Sequence, residues 1–175
     1  MSDLRLLETD RLVLSGWSVD QVDDLLRLHG NPDVSRYLRG DGAPWNRADC
    51  AARIALWRDN FASHRMGKLR VQRKSDGVLL GRAGFGLHGE RGEPEIGYAL
   101  FPEYHGEGYA TEAAVALRDW LFAETDWMYF LGFADMRNAP SLAVLNKIGM
   151  VRTHVGLVDG QQTQFHIMHK GQLSA

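Results

Sequence analysis

From Glu95 to Trp120 the chain reads Glu-Ile-Gly-Tyr-Ala-Leu-Phe-Pro-Glu-Tyr-His-Gly-Glu-Gly-Tyr-Ala-Thr-Glu-Ala-Ala-Val-Ala-Leu-Arg-Asp-Trp. This pattern predicts a strand, a glycine loop and a helix in immediate succession. Glu95 to Phe101 suits a strand, and Pro102 stops it because proline has no N–H to give a ladder. Gly106 and Gly108 permit backbone geometry that a Cβ would hinder. Ala113, Ala116, Leu117, Trp120 and Leu121 then recur on one face of a helix. A helix that begins directly after such a loop aims several unpaired N–H groups at one point. Those donors and the helix dipole together favour an anion, so the loop is expected to hold phosphate.

The flanking sequence places this unit in a mixed sheet. Leu12 to Leu14 predicts a first strand, and Ser18 followed by Gln21 has capping-box spacing. A helix is expected from Val19 to His29, burying Val22, Leu25, Leu26 and His29, with Gly30-Asn31-Pro32 as its stop. Val34 to Leu38 suits a short helical turn, and Arg39 to Pro44 a mobile loop. A second helix should start at Asn46 or Arg47, reach roughly His64 and bury Cys50, Ile54, Trp57 and Phe61, with Gly67 as its stop. Strands follow at Leu69 to Gln72 and Val78 to Leu87, joined through Asp76-Gly77, a hairpin signal. Trp127 to Ala134 predicts a further strand. Asn138 to Gly149 is a helix with Asn138 as its cap, and Val151 to Leu157 with Thr163 to His169 closes the chain as a hairpin around Asp159-Gly160. The order predicts an α+β fold: a mixed, mostly antiparallel twisted sheet of about seven strands with about four helices.

Composition excludes some classes of function. At 175 residues the chain suits a single domain from residue 1 to residue 175. A net charge of −2 gives no reason to expect nucleic acid as the main partner. No apolar run reaches membrane-span length, and Met1-Ser-Asp-Leu-Arg lacks a signal-peptide pattern, so a cytoplasmic location is expected. Cys50 is the only cysteine and reads as a plain buried thiol. Seven histidines invite a metal reading. However, His166 and His169 are three apart on a strand and so face opposite sides, and no metal is expected.

Four segments, in order, resemble the GNAT acetyltransferase superfamily, and within it the branch of ribosomal-protein N-terminal acetyltransferases. They are Leu7 to Leu14, Asn31 to Leu38, Glu95 to Tyr98 with Pro102 to Ala113, and Asn138 to Ser141 with Val144 to Met150. The resemblance covers nearly the whole chain and implies acetyl-CoA as co-substrate and an amine as acceptor. His105 stands where the superfamily usually carries glutamine or arginine. Met66 to Gln72 is more basic than the apolar version that the resemblance implies.

By resemblance, His105, Gly106, Glu107, Gly108, Tyr109, Ala110 and Thr111 would hold the diphosphate. Backbone groups near Tyr98, Leu100 and Phe101 would line the pantetheine arm. Asn138 would cap its helix and contact the cofactor. Glu95 is the candidate base for the acceptor amine, acting through water; its ordinary alternative is a solvated or ion-paired strand glutamate. Ser141 is the candidate proton donor to the departing thiolate, or else a helix-start residue bonded locally. Tyr98 and Tyr104 would line the acceptor tunnel or simply pack. Glu112 reads as a first-turn carboxylate favoured by the dipole. Trp17, Trp45 and Trp57 suit the core or the acceptor groove, and Arg36, Arg39 and Arg47 a solvated basic surface or a guide for an acidic peptide or the CoA 3′-phosphate.

Two other functions share parts of this pattern. A non-catalytic acyl-CoA sensor needs the loop but not Glu95 or Ser141. A dinucleotide-dependent oxidoreductase would need a third loop glycine and repeated strand–helix–strand units, which the chain lacks. The acceptor could be a protein N-terminus or a small molecule such as an antibiotic, polyamine or amino acid. The terminal hairpin and exposed edges could support a homodimer.

Overall fold

In the computed structural model, residues 5–38 and 41–174 are described. They form one eight-stranded sheet flanked by five helices, an α+β fold. The strands are β1 (Arg5–Glu8), β2 (Leu12–Ser15), β3 (Lys68–Arg73), β4 (Leu79–His88), β5 (Glu93–Leu100), β6 (Tyr129–Asp135), β7 (Val151–Val158) and β8 (Gln161–His169). The helices are α1 (Val22–His29), α2 (Pro32–Ser35), α3 (Arg47–His64), α4 (Tyr109–Glu124) and α5 (Ala139–Lys147). Strand order is β1-β2-β3-β4-β5-β6-β8-β7. Every pairing is antiparallel except β5 with β6.

Register sorts the residues of the central strands onto two faces. Ala83 pairs with Leu69, and Phe85 pairs with Ile96. These side chains meet α4 and α5 in a core that includes Leu80, Leu117, Leu121 and Phe130. Phe85 and Phe130 touch edge to face at 5.3 Å between centroids. Each such fully buried side chain contributes about 1.5–3 kcal/mol. On the other side Trp17, Leu25, Leu28, Trp45, Ile54, Trp57 and Phe101 form a second core with α1 and α3. The three tryptophans are therefore core residues, with neighbouring centroids 6.2 and 6.4 Å apart.

Several local expectations change. An eighth strand, β1, pairs with β2 although its four residues carry little periodicity. The first helix opens as a 3₁₀ turn, Val19–Gln21, in which Gln21 Oε1 accepts from Ser18 N–H at 2.9 Å. α1 buries Leu25, Leu28 and His29, whereas Val22 and Leu26 stay half-buried. α3 ends at His64, as expected, but the residue that caps it is Arg65 and not Gly67: Arg65 takes the left-handed conformation at φ 58° and donates its N–H back into the last turn. β6 starts two residues late, since Thr125 Oγ1 holds Trp127 N–H in a turn. Asp159 and Gly160 both have positive φ, 49° and 76°, as a tight hairpin turn requires. Arg39 and Gly40 lie outside the described residues. Arg36 and Arg47 are exposed and paired to Asp33 and Asp23.

Candidate active site

The site begins where the sheet splits. β5 stays paired with β4 as far as Leu100 opposite Gly81, but it pairs with β6 only at Glu95 and Ile96. Beyond Ile96 the two parallel strands diverge. Phe101 N–H bonds Leu80 O at 2.9 Å. In an antiparallel ladder these bonds alternate, so the N–H groups of Tyr98 and Leu100 point the other way, into the split. The Phe101 N–H is therefore committed to β4 and its ring is buried, which removes that amide from the expected pantetheine wall. The amides of Tyr98 and Leu100 remain on the open edge of β5.

The glycine loop lies at the end of the same strand. Gly106 and Gly108 both have φ 79°, a conformation that favours glycine. His105, Gly106, Glu107 and Gly108 are exposed, and Gly108 is the N-cap of α4 without any side-chain cap. Glu112 N–H is the first to bond within the helix, to Gly108 O at 3.0 Å. The N–H groups of Tyr109, Ala110 and Thr111 thus have no place in the helix ladder and aim outward. The His105 ring folds back so that its Nε2 is 3.1 Å from Leu100 O.

Arg11 is a neighbour of this loop that the sequence reading did not single out. Its Nη1 donates to Glu107 O at 3.0 Å, and its guanidinium lies 4.4 Å from the Tyr109 ring centroid. Glu112 turns away from the loop and fixes Arg11, accepting from Arg11 Nε at 2.7 Å, Arg11 N at 3.0 Å and Thr9 Oγ1 at 2.5 Å. Burial raises the Glu112 pKa, but these hydrogen bonds more than offset it and leave the carboxyl below its ordinary value. The segment Leu7 to Leu14 carried the signal: it ranked among the family-like stretches without a role for its arginine.

A cleft of about 230 Å³ opens at the split. It gathers Glu95, Tyr98, Asn138 and Ser141 from the expected set. Leu100, Phe101, Tyr104 and the loop residues lie outside its lining. Tyr104 is half-buried and packs edge to face on Phe101 at 6.4 Å. Tyr98 OH donates to Ser141 O at 2.7 Å, and Ser141 Oγ donates to Tyr98 OH at 3.3 Å. Burial raises the Tyr98 pKa, so it stays a neutral phenol. Asn138 caps α5, its Oδ1 accepting from Ser141 N at 3.4 Å.

Glu95 is ion-paired. Lys68 Nζ lies 3.1 Å from Glu95 Oε2 and also donates to the carbonyls of Gly84 and Glu95 at 3.1 and 3.2 Å. The lysine crosses the sheet over Gly97, where a Cβ would approach Nζ to 2.6 Å. Burial lowers the Lys68 pKa against the opposing pull of Glu95. Among the described residues Glu95 Oε1 has no hydrogen-bond donor, and the side chain is 17% exposed to the cleft. Sequence reading flagged the basic character of this strand without linking Lys68 to Glu95.

His166 is fully buried and His169 exposed, and no cluster of three or more His, Cys, Asp or Glu among the described residues could hold a metal ion. No helix among them is long and apolar enough to cross a membrane.

Comparisons with known proteins bear on the fold and the family. Residues 11–151 match the family described as acetyltransferase (GNAT) domain. The uncharacterized N-acetyltransferase p20 of Bacillus licheniformis is 26% identical over 147 residues, covering 83% of this chain and 82% of its own. The acetyltransferase structure from Agrobacterium tumefaciens superposes with a TM-score of 0.80 at 24% identity, over 97% of this chain and 95% of its own. RimL, a ribosomal L7/L12 alpha-N-protein acetyltransferase solved with coenzyme A, superposes with a TM-score of 0.80 at 14% identity, over 96% and 98%. With the split sheet, the uncapped glycine loop and a family match over residues 11–151, this chain belongs to the GNAT acetyltransferase family.

Proposed function

We propose that the protein moves the acetyl group of acetyl-CoA to a primary amine by direct attack in a ternary complex. The observation that carries this reading is the meeting of Glu95, Tyr98 and Ser141 in one cleft at the sheet split, lined by the strand β5 that leads on to the uncapped start of α4. Acetyl-CoA supplies the acyl group as a thioester, already activated toward an amine. The amides from His105 to Thr111 grip the diphosphate, with Arg11 adding charge. A single helix terminus contributes only about 0.3–1 kcal/mol at an exposed site, so direct N–H bonds do most of the holding. The open edge of β5, at Tyr98 and Leu100, lines the pantetheine arm. One N–H of this edge faces the thioester oxygen, a contact worth about 2.7–4 kcal/mol as charge develops there.

The acceptor amine enters beside Glu95. Its proton passes through a water to Glu95 Oε1, while Lys68 holds Oε2 and fixes the orientation of the carboxylate. Ser141 then hydrogen-bonds the departing sulfur and relays it a proton that solvent water replaces, with Tyr98 bracing the serine. Asn138 keeps the start of α5, and with it Ser141, in place. Alignment of the two reactants supplies the rest, and no acyl-enzyme is needed.

The fold shared with RimL, together with the resemblance to the ribosomal-protein branch, supports a protein N-terminal amine as acceptor. The small volume of the cleft supports a small-molecule amine such as an amino acid, polyamine or antibiotic. A cytoplasmic location suits this co-substrate, and the exposed Val151, Val155 and Leu157 of β7 suit a homodimer. The test is thiol release from acetyl-CoA across a panel of peptides and small amines. An amine-dependent rise is expected. Tight CoA binding without turnover on any amine would favour a sensor instead.

A further inference from the structure

The face of the sheet that meets α1 and α3 carries an excess of buried positive charge. Arg70 is paired across the ladder with Arg82, Lys68 with Gly84, Gly84 with Gly97, and Gly86 with Glu95, so all these residues share one face. Lys68, Arg70 and Arg82 are only 9%, 9% and 6% exposed. Asp24 pairs with Arg70 at 2.8 Å, and Glu95 pairs with Lys68 at 3.1 Å. Arg82 has no carboxylate in ion-pair contact among the described residues, although Glu95, held by Lys68, acts on it through space. Its Nε–H donates to His29 Nε2 at 3.0 Å, and its guanidinium lies 5.6 Å from the Trp57 ring. Its terminal nitrogens make no hydrogen bond within the described residues, and Arg82 lines the cleft. The other acidic residues of the lining do not serve it: Asp135 is held by Arg137 at 2.6 Å, and Asp159 is exposed at the rim.

A guanidinium presents five donors in a fixed fork. Burying one without an anion costs free energy, and here burial lowers its pKa to about 10. The cross-strand partner of Arg82 is Ala99, on the stretch of β5 that borders the split. An anion on Arg82 is therefore one strand away from where the acyl group would be presented. Glycines 84, 86 and 97 add no side chain of their own to this face between Arg82 and Glu95, where the Lys68 side chain runs over Gly97 to reach Glu95.

Building on the N-acetyltransferase reading, we propose that the acceptor is a primary amine that also bears a carboxylate, and that Arg82 is the specificity residue that receives that carboxylate. The guanidinium takes it through two parallel N–H···O bonds while the amine faces Glu95. An acceptor with an amide in place of the carboxylate leaves the buried fork without a counter-charge, which is how such a site rejects it. The same chemistry is offered by a free amino acid and by a peptide whose first residue is Asp or Glu.

The experiment compares matched pairs in the thiol-release assay. One arm uses ω-amino acids of increasing length against their amides. The other uses C-terminally amidated peptides beginning with Asp or Glu against Asn or Gln. Carboxylate-free polyamines and neutral-start peptides are run alongside. The expected result is kcat/KM at least about 10-fold higher for the acid than for its amide in one arm, which also identifies the source. Arg82→Gln should abolish that preference with CoA affinity unchanged, and Arg82→Lys, which keeps the charge and stem, should retain part of it. Acid and amide turned over equally in both arms would overturn the inference while leaving the acetyltransferase reading intact. So would a preference that survives in either folded variant at its full wild-type value. Failure of every amine would overturn both readings.

Discussion

Arg11 Nε lies 2.7 Å from Glu112 Oε2, joining the start of the chain to the first turns of α4 across 101 positions. The pair fixes a guanidinium beside Gly108, whose added Cβ would come within 3.5 Å of Arg11 Nη2. A carboxylate near a helix N-terminus would ordinarily oppose an incoming phosphate. Here it is turned away and positions a cation instead.

Removing Arg11 should therefore weaken CoA without touching the acceptor. For Arg11→Ala we expect a rise of about 3–10-fold in the KM for acetyl-CoA, the scale of one partly exposed charge contact, with acceptor KM unchanged. Steady-state kinetics with each substrate varied in turn checks this.

The same pair gives acid sensitivity. The folded-state pKa of Glu112 lies below its ordinary value of 4.5. Its contribution to stability is thus fully present above pH 4.5 and is lost as pH falls through the lower folded value. Melting curves of wild type and Glu112→Gln should converge as pH drops below 4.5. A gap that stays constant from pH 7 to pH 3 would remove this role.

Lys68 and Glu95 hold each other in place inside the sheet. Lys68→Met should destabilise the fold by about 3–5 kcal/mol, because it leaves a nearly buried carboxylate without its cation. Adding Glu95→Gln should recover a large part of the loss. Urea unfolding of the two single variants and the double variant measures the coupling.

Glu95→Gln and Ser141→Ala separate the two proton transfers. Glu95→Gln should lower kcat by about 10²–10⁴-fold and change the pH–rate profile, with CoA binding kept. A wild-type profile in that variant would take Glu95 out of the base role. Ser141→Ala should lower kcat more than it changes either KM, since its proton is needed only as the carbon–sulfur bond breaks.

Much of this architecture was legible from local rules. The Asp159-Gly160 turn, the Asn138 cap and the Gly106/Gly108 loop depend on residues close in sequence, so spacing alone revealed them. β1 escaped because a four-residue edge strand derives its stability from its neighbour β2, not from its own pattern. The partners of Glu95 and Arg11 lie 27 and 101 positions away; strand register brings the first pair together, and the packing of α4 against β1 and β2 the second. Phe101 could not be read because the direction of an N–H depends on which neighbour pairs with which edge. Nothing local in the sequence marks Arg82; the sheet alone places it between His29 and Trp57.

The central claim is that main-chain amides at the start of α4 grip the diphosphate, and calorimetric titration of coenzyme A into wild type and Gly108→Asp tests it most directly. Affinity should fall about 10-fold or more in a variant that still folds, because a carboxylate would stand where the phosphates bind. Equal affinity in the two proteins would contradict it.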